Sequence, residues 1–334
     1  MLTAGVFVVL AIGVAYFLYR LDQRRAASSP PAPWSWPEVG KALAAGTGAG
    51  VAVGLGGFFL AEVPHARGMG SVMFFLVPVA AGFAISLVTP GPGVRIAAAL
   101  LAVLVSLAFL IAMGKEGVLC AILALPFLAV GLVAGIVLGR LLRPRLLGPR
   151  GERTIARLVI LLVAPLISTA HLVERPALNR GRTEVVTTTA RLQEVPERVW
   201  ALIASIDSVE AQKGWMMFVG LPVPQRCTLD KLGVGGKRIC YFDQGFIEET
   251  ITEWNPPWSM RLTINRTHMP GRHWLDFEGA AYELQPEGNG TIVSRTTLIR
   301  SGLYPAFYWR YFERMGVEAE HRYILEDLSR RSNQ

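Results

Sequence analysis

GLYPAFYWRYFERM, residues 302–315, carries six aromatic side chains between Tyr304 and Phe312. Arg310, Glu313 and Arg314 interrupt the run, so it is too charged to cross a lipid bilayer. Helical spacing puts Tyr308, Tyr311, Phe312, Met315 and Ala319 on one face, and that face is expected to lie against another layer. The stretch opens a long helix, predicted from about Pro305 to Arg331, with Gly316 in its interior as a point of bending.

What that helix packs on is set by the residues before it. TEVVTTTARL (183–192) alternates and is β-branched, which reads as a strand. PERVWALIASID (196–207) reads as a short helix burying Val199, Trp200 and Ile203. Six further strand-like runs follow, separated by Gly, Pro, Asn and Asp: QRCTLD, KRICYFDQ, FIEETITEW, WSMRLTINRT, HWLDFEGAAYELQP and TIVSRTTLIR. Consecutive strands with segregated helices make an α+β domain over 183–334.

In VPERVWALIASID, GVGGKRICYF, EETITEWNPP, YELQPEGNGTIV and GLYPAFYWRYFERM continuing to EHRYILEDL, this half resembles the START-like (SRPBCC) superfamily. The resemblance rests on the order and spacing of these segments, and it covers essentially all of 183–334. It implies a helix-grip fold, a curved antiparallel sheet around a long C-terminal helix with an apolar cavity between them. The superfamily includes lipid-transfer domains, hormone and allergen binders, and polyketide aromatase/cyclases. His321 matches a histidine in the last helix of the resembling family, which makes it a candidate acid/base together with Glu248.

Alternation then selects the expected lining. Met260, Leu262 and Ile264 fall on one strand face with Trp258, and Tyr282 and Leu284 on another. Tyr308, Trp309, Tyr311, Phe312 and Met315 would face them from the helix. Tyr241, Glu248, Thr296 and His321 are candidate polar groups for fixing a ligand. Glu248 and Glu249 are adjacent, so one points inward and the other outward. No metal or cofactor is expected: His268 and His273 lack a third ligand at zinc spacing. GVGGK reads as a tight turn rather than a phosphate loop, and no Gly-x-Ser-x-Gly elbow occurs. Cys227 and Cys240 lie on consecutive strands, nearly equidistant from the turn at 233–236. A disulfide there suits an extracytoplasmic domain, and two buried thiols suit the cytoplasm.

The first half is of another kind. The chain is 52% hydrophobic and 17% charged with a net charge of +8. Residues 1–182 hold 16 Lys/Arg against 6 Asp/Glu, whereas 183–334 hold 17 against 19. The basic excess therefore sits in the apolar half, where it reads as topology charge, and no basic face remains for nucleic acid. Six stretches have spanning length: 2–19, 41–63, 71–89, 95–113, 117–139 and 155–173, within a membrane domain of residues 1–175. The first lacks the basic n-region of a signal peptide and reads as a retained span. Arg20, Arg24, Arg25 and the arginines of 140–157 put those loops in the cytoplasm, against only Arg67 and Lys115 in the opposite short loops. Six spans, the expected number, place residues 183–334 outside the cytoplasm; five would place them inside, the side that Arg175, Arg180 and Arg182 favour. The apolar cores hold no Asp, Glu or Lys for ion relay, which favours an anchor over a transporter. Gly46, Gly50 and Gly54 form a small-residue stripe, for packing within the bundle or between copies of the chain. This half resembles no nameable family.

The sequence thus leads to a polytopic α-helical membrane region followed by an α+β helix-grip domain, located in a bacterial inner membrane. Its expected partner is a lipid or another hydrophobic or amphipathic small molecule, bound for transfer, presentation or sensing. A cyclase/aromatase-like enzyme and a scaffold without ligand are the alternatives.

Overall fold

The computed structural model describes residues 35–62, 68–146, 152–204, 206–269 and 274–332. The expected span 2–19 lies outside them. The chain divides near residue 180 into two compact units, with the short segment Gly114–Leu119 grouped with the second.

In the first unit, helix α1 (Trp36–Glu62) opens on a capping interaction, with Ser35 N and Oγ both donating to Glu38 Oε2 at 3.1 and 2.8 Å. A π-helical turn (Val72–Leu76) leads into α2 (Val77–Val88), followed by α3 (Pro92–Ala112), α4 (Val118–Leu146) and α5 (Glu152–Arg180). Among the described residues, three helices are long and apolar enough to cross a membrane: Trp36–Leu60, Pro92–Ala112 and Val118–Leu142. Val72–Val88 is apolar but shorter. The expected span 155–173 falls within α5, which contains Pro165 and Pro176.

Small residues let these helices approach closely. A Cβ added at Gly50 would lie 2.7 Å from Ala102 Cβ and 2.8 Å from Ile85 Cδ1, and one at Gly46 would lie 2.9 Å from Ala98 Cβ. The stripe on α1 is therefore occupied by α2 and α3 of the same chain, at least at Gly46 and Gly50. At Gly54 an added Cβ would meet Ser106 Oγ at an ordinary 3.6 Å. A second stripe, Gly131, Gly135 and Gly139 on α4, packs on Pro78, Val79, Phe83 and Ser86 of α2. Polar groups satisfy helix ends: Arg95, buried at the start of α3, donates from Nη2 to Thr89 O at the end of α2 (3.1 Å). Glu174 accepts from Ser71 N (2.5 Å) and Val72 N (3.3 Å), so an acid from α5 caps the π-helical turn.

The second unit is a helix-grip domain. It comprises β1 (Arg182–Leu192), α6 (Pro196–Ala204), α7 (Trp215–Phe218), β2 (Pro224–Leu229), β3 (Lys237–Phe242), β4 (Gly245–Asn255), β5 (Ser259–His268), β6 (Leu275–Glu287), β7 (Gly290–Ser301) and α8 (Ala306–Ser332). The seven strands form one curved antiparallel sheet of order β1-β7-β6-β5-β4-β3-β2 around α8. Bulges at Glu248/Glu249, Ile251/Glu253 and Phe277/Gly279 bend β4 and β6 as a sheet wrapping a helix requires. The main core joins Met260, Leu262, Tyr282, Leu284 and Val293 of the sheet to Val199, Trp200 and Ile203 of α6 and Ile324, Leu325 and Leu328 of α8. A smaller cluster joins Val186, Ile299 and Val317, with Leu275 and Phe277 packed against it.

The long helix follows its expected bounds within a residue, but the buried face differs. Glu313, Gly316, Val317, His321, Ile324 and Leu328 are buried, whereas Tyr311 is 46% exposed and Phe312 and Met315 are half-buried. The expected aromatic face is therefore displaced by a mixed polar and aliphatic one. A hydropathy wheel ranks rings as interior; here buried charges and a histidine take those places because they find partners on the sheet.

Candidate functional site

Register identifies the concave face. Cys227 pairs with Cys240, Arg238 with Glu249, Glu249 with Ile264, Ile251 with Leu262, Met260 with Tyr282, and Tyr282 with Arg295. Because side chains alternate, these residues share one side of the sheet and their chain neighbours take the other. Cys227 and Cys240 form a disulfide with a Cα–Cα distance of 4.0 Å.

Two buried ion pairs stand on this face. Arg295 Nη2 donates to Glu320 Oε1 of α8 at 2.8 Å, and Arg295 Nη1 donates to the Tyr282 hydroxyl. Arg238 Nε lies 3.8 Å from Glu249 Oε2, and Arg238 Nη2 is 3.3 Å from Cys227 Sγ. Both guanidiniums lie over the Tyr282 ring, 5.9 Å (Arg238) and 5.2 Å (Arg295) from its centre. Burial pushes the Glu320 carboxyl above its ordinary range despite Arg295 beside it, and the negative charge of Glu249 adds to the shift. Burial alone would lower Arg295, but Glu320, Tyr282 and Glu249 hold it up, so it stays cationic.

His321 is next to this group and fully engaged. Its Nε2 is 2.7 Å from Thr297 Oγ1 and its Nδ1 3.0 Å from Thr188 Oγ1. Burial, then the charge of Arg295, pushes its pKa down to about 2, so the ring is neutral. One nitrogen donates and the other accepts, and the two threonines supply the matching roles. A neutral ring clamped on both sides holds α8 to β1 and β7.

This has a consequence for stability. The unfolded histidine titrates near 6.5 and the folded one near 2, so the unfolded chain alone takes up a proton between those values. The contribution is fully present above pH 6.5 and declines as pH falls, by up to about 1.4 kcal/mol per unit. Between pH 7 and pH 5 the domain should lose about 2 kcal/mol through this group. His321→Phe is expected to be less stable at pH 7 yet to lack this acid slope. Thermal melts of the full chain followed by tryptophan fluorescence read it, and equal slopes for both proteins would refute the assignment.

The expected site residues separate into groups. Met260, Leu262, Tyr282 and Leu284 lie together in the main core, and Ile264 is half-buried opposite Glu249. Tyr308 and Trp309 are buried and in edge-to-face contact at 5.3 Å. Burial raises the Tyr308 hydroxyl to about 12. Tyr308 also packs on Phe312 at 4.9 Å, and Tyr311 on Phe312 at 5.1 Å. Three expectations are corrected by register. The inward carboxylate is Glu249, and Glu248 pairs with Ile239 and Arg266 on the other side. The inward threonine is Thr297, while Thr296 bonds Thr187 across an exposed pair at 2.9 Å. Tyr241 lies on the face opposite Cys240, with Arg226 stacked 4.4 Å from its ring centre.

Arg238, Arg295 and Glu320 are not singled out by the sequence, and Glu249 only as the neighbour of Glu248. Once Cys227 and Cys240 are taken as a facing pair, alternation sends Arg238 inward two residues away. Nothing in the sequence marks Arg295, because its parity depends on the β6–β7 register.

No family model and no curated protein matches this chain. Among solved structures, the chain is similar to a protein from Chromobacterium violaceum at 16% identity. That alignment covers 45% of this chain and 97% of that one, with a TM-score of 0.31. A protein from Arthrobacter aurescens aligns at 17% identity over 45% and 86%, with a TM-score of 0.32. Norcoclaurine synthase from Thalictrum flavum aligns at 10% identity over 46% and 89%, with a TM-score of 0.33. Similarity at this level transfers no residue role or activity.

Proposed function

We propose that this protein is a membrane-anchored helix-grip domain that binds a hydrophobic or amphipathic small molecule, a lipid, for transfer, presentation or sensing at the membrane. The observation carrying this reading is a small set of charged and hydroxyl groups flanked by apolar clusters on the concave face. That is the composition of a ligand site, where apolar walls supply affinity and a few polar groups fix orientation. On β7 and on α8 alike one group of polar residues falls between two apolar clusters: Arg295 and Thr297 between Val293 and Ile299, Glu320 and His321 between Val317 and Ile324. The enzyme alternative has less support, since both nitrogens of His321 are occupied by threonines and Glu248 is on the far face.

The test uses the difference between two neighbouring inward positions. Leu262 is 3% exposed in the packed core, whereas Ile264 is half-buried. The full chain purified in detergent is expected to retain a stoichiometric lipid, measured by mass spectrometry of extracts. Ile264→Trp should lose it with an almost unchanged melting temperature. Leu262→Trp should instead cost about 1–3 kcal/mol by overpacking. If no lipid is retained and Ile264→Trp costs as much as Leu262→Trp, the domain is a structural module.

We also place this domain outside the cytoplasm, with the helix Glu152–Arg180 as the last span. The Cys227–Cys240 disulfide supports that side, because such bonds persist in oxidising compartments. A reporter active only in the cytoplasm, fused after Gln334, should stay silent; a bright signal reverses the sidedness.

A further inference from the structure

The geometry points to Arg238 as the receptor for a single oxyanion, so that the bound molecule is an amphiphile carrying one carboxylate or phosphate group on an apolar tail. This rests on the lipid-binding reading and narrows it to a charge class. Arg238 is 4% exposed and stands on the concave face. Among the described residues its Nε has no hydrogen-bond acceptor, and its Nη2 reaches only the sulfur of Cys227, a weak acceptor. Glu249, its cross-strand neighbour, is 3.8 Å from Nε, close enough to offset charge and too far to accept the proton. Arg295 differs: it has both the Tyr282 hydroxyl and Glu320, yet its own Nε also lacks an acceptor.

The two guanidiniums lie 5.9 and 5.2 Å from the centre of one tyrosine ring, and among the described residues each has an Nε without an acceptor. A planar guanidinium fork matches a carboxylate or phosphate, and charge-assisted bonds of this kind are about twice as strong as neutral ones. Charge balance can follow binding. An arriving anion repels Glu249 and Glu320, and Glu320, which burial already holds above the ordinary carboxyl range, is the group placed to take up a proton. Ile264 and Ala280 are half-buried on the same face, so a tail extending from the anion would meet aliphatic surface.

Native mass spectrometry of the full chain in detergent tests this, with oleate and the neutral oleyl alcohol as probes of equal tail. The wild type should bind one oleate, and the alcohol roughly tenfold or more weakly. Arg238→Met should lose that preference and leave alcohol binding unchanged. Because Arg238→Met strands Glu249, the double variant Arg238→Met/Glu249→Gln, which removes both charges, should give the same loss. Dioleoyl phosphatidate is the second anionic probe: stronger binding than oleate assigns the oxyanion to a phospholipid head group, and weaker binding to a free acid. Equal binding of oleate and alcohol by the wild type, or oleate binding unaffected in both variants, overturns the role of Arg238 and leaves the lipid-binding reading standing. Binding of none of the three probes overturns that reading itself.

Discussion

Replacing Glu313 with leucine is expected to destabilise the domain by about 3–5 kcal/mol, because it takes from a buried arginine its hydrogen-bonded counter-charge and leaves only Glu184, at 3.9 Å and already bonded to Arg310. Arg182, at the first residue of β1, donates from Nη1 to Glu313 Oε2 at 2.9 Å and from Nη2 to both carboxylate oxygens at 2.7 and 2.6 Å. Side-chain exposure is 10% and 4%, so water is a poor substitute for either partner. Ser301 Oγ donates to the same carboxylate at 2.6 Å and accepts from Leu303 N at 3.1 Å, bringing in the end of β7. Beside it Arg310 Nε donates to Glu184 Oε1 at 2.6 Å. The group fastens the first turns of α8 to β1 and β7, the first and last strands in the chain, which are neighbours at one edge of the sheet. Removing both charges together should be far milder, since a buried pair replaced by apolar side chains of similar volume is often neutral. The double variant Arg182→Met/Glu313→Leu is therefore expected to recover most of the loss. Six of the eight tryptophans lie beyond residue 180, so fluorescence melts of the full chain report on this domain. A single variant within about 1 kcal/mol of wild type would show that solvent compensates the arginine.

The same residues show how far the sequence could be read. Each of the seven strands was legible, because β-branched runs bounded by Gly, Pro, Asn and Asp carry their own period. The long helix was legible too, within a residue at each end. Its orientation was not. The wheel put Tyr311 toward the sheet, where the structure puts Glu313, Val317, Glu320 and His321. Hydropathy cannot know that Glu313 will meet Arg182, 131 residues earlier in the chain, or that His321 will meet Thr188 and Thr297. The choice between Glu248 and Glu249, and between Thr296 and Thr297, failed for a related reason. Alternation says which residues of a strand share a face but not which face is inward. That is set by the neighbouring strands, whose count is itself altered by bulges such as the extra residue Asn265 of β5 opposite Glu248 and Glu249. Cys227 and Cys240 were readable because a short hairpin fixes register from the turn alone.

In the membrane half, Gly135→Leu is expected to be the most damaging single change, at more than about 3 kcal/mol, since the atoms in its way are backbone. A Cβ at Gly135 would run into Val79 O and lie 2.8 Å from Phe83 N, both in α2. Neighbouring positions on the stripe are as close: a Cβ at Gly131 would lie 2.6 Å from Pro78 Cβ, and one at Gly139 would strike Ser86. Side chains can change rotamer to admit a newcomer, but a helix backbone can only move away as a body. That would undo the contacts of the whole α2–α4 seam, including Gly82 against Leu132. In lipid the loss is not made good by a hydrophobic effect, because tails are as apolar as the side chains they replace, and close packing is the main attraction between helices. The four-residue spacing of Gly131, Gly135 and Gly139 is present in the sequence, as is that of Gly46, Gly50 and Gly54. Of those, Gly54 meets only Ser106 Oγ at 3.6 Å and should tolerate alanine. Gly56, with nothing within 4 Å of an added Cβ, serves as the control. Size-exclusion profiles after heating in detergent should show Gly135→Leu lost at temperatures that Gly56→Ala and the wild type survive. If Gly135→Leu elutes unchanged after heating, α2 and α4 are not in the backbone contact that this seam requires.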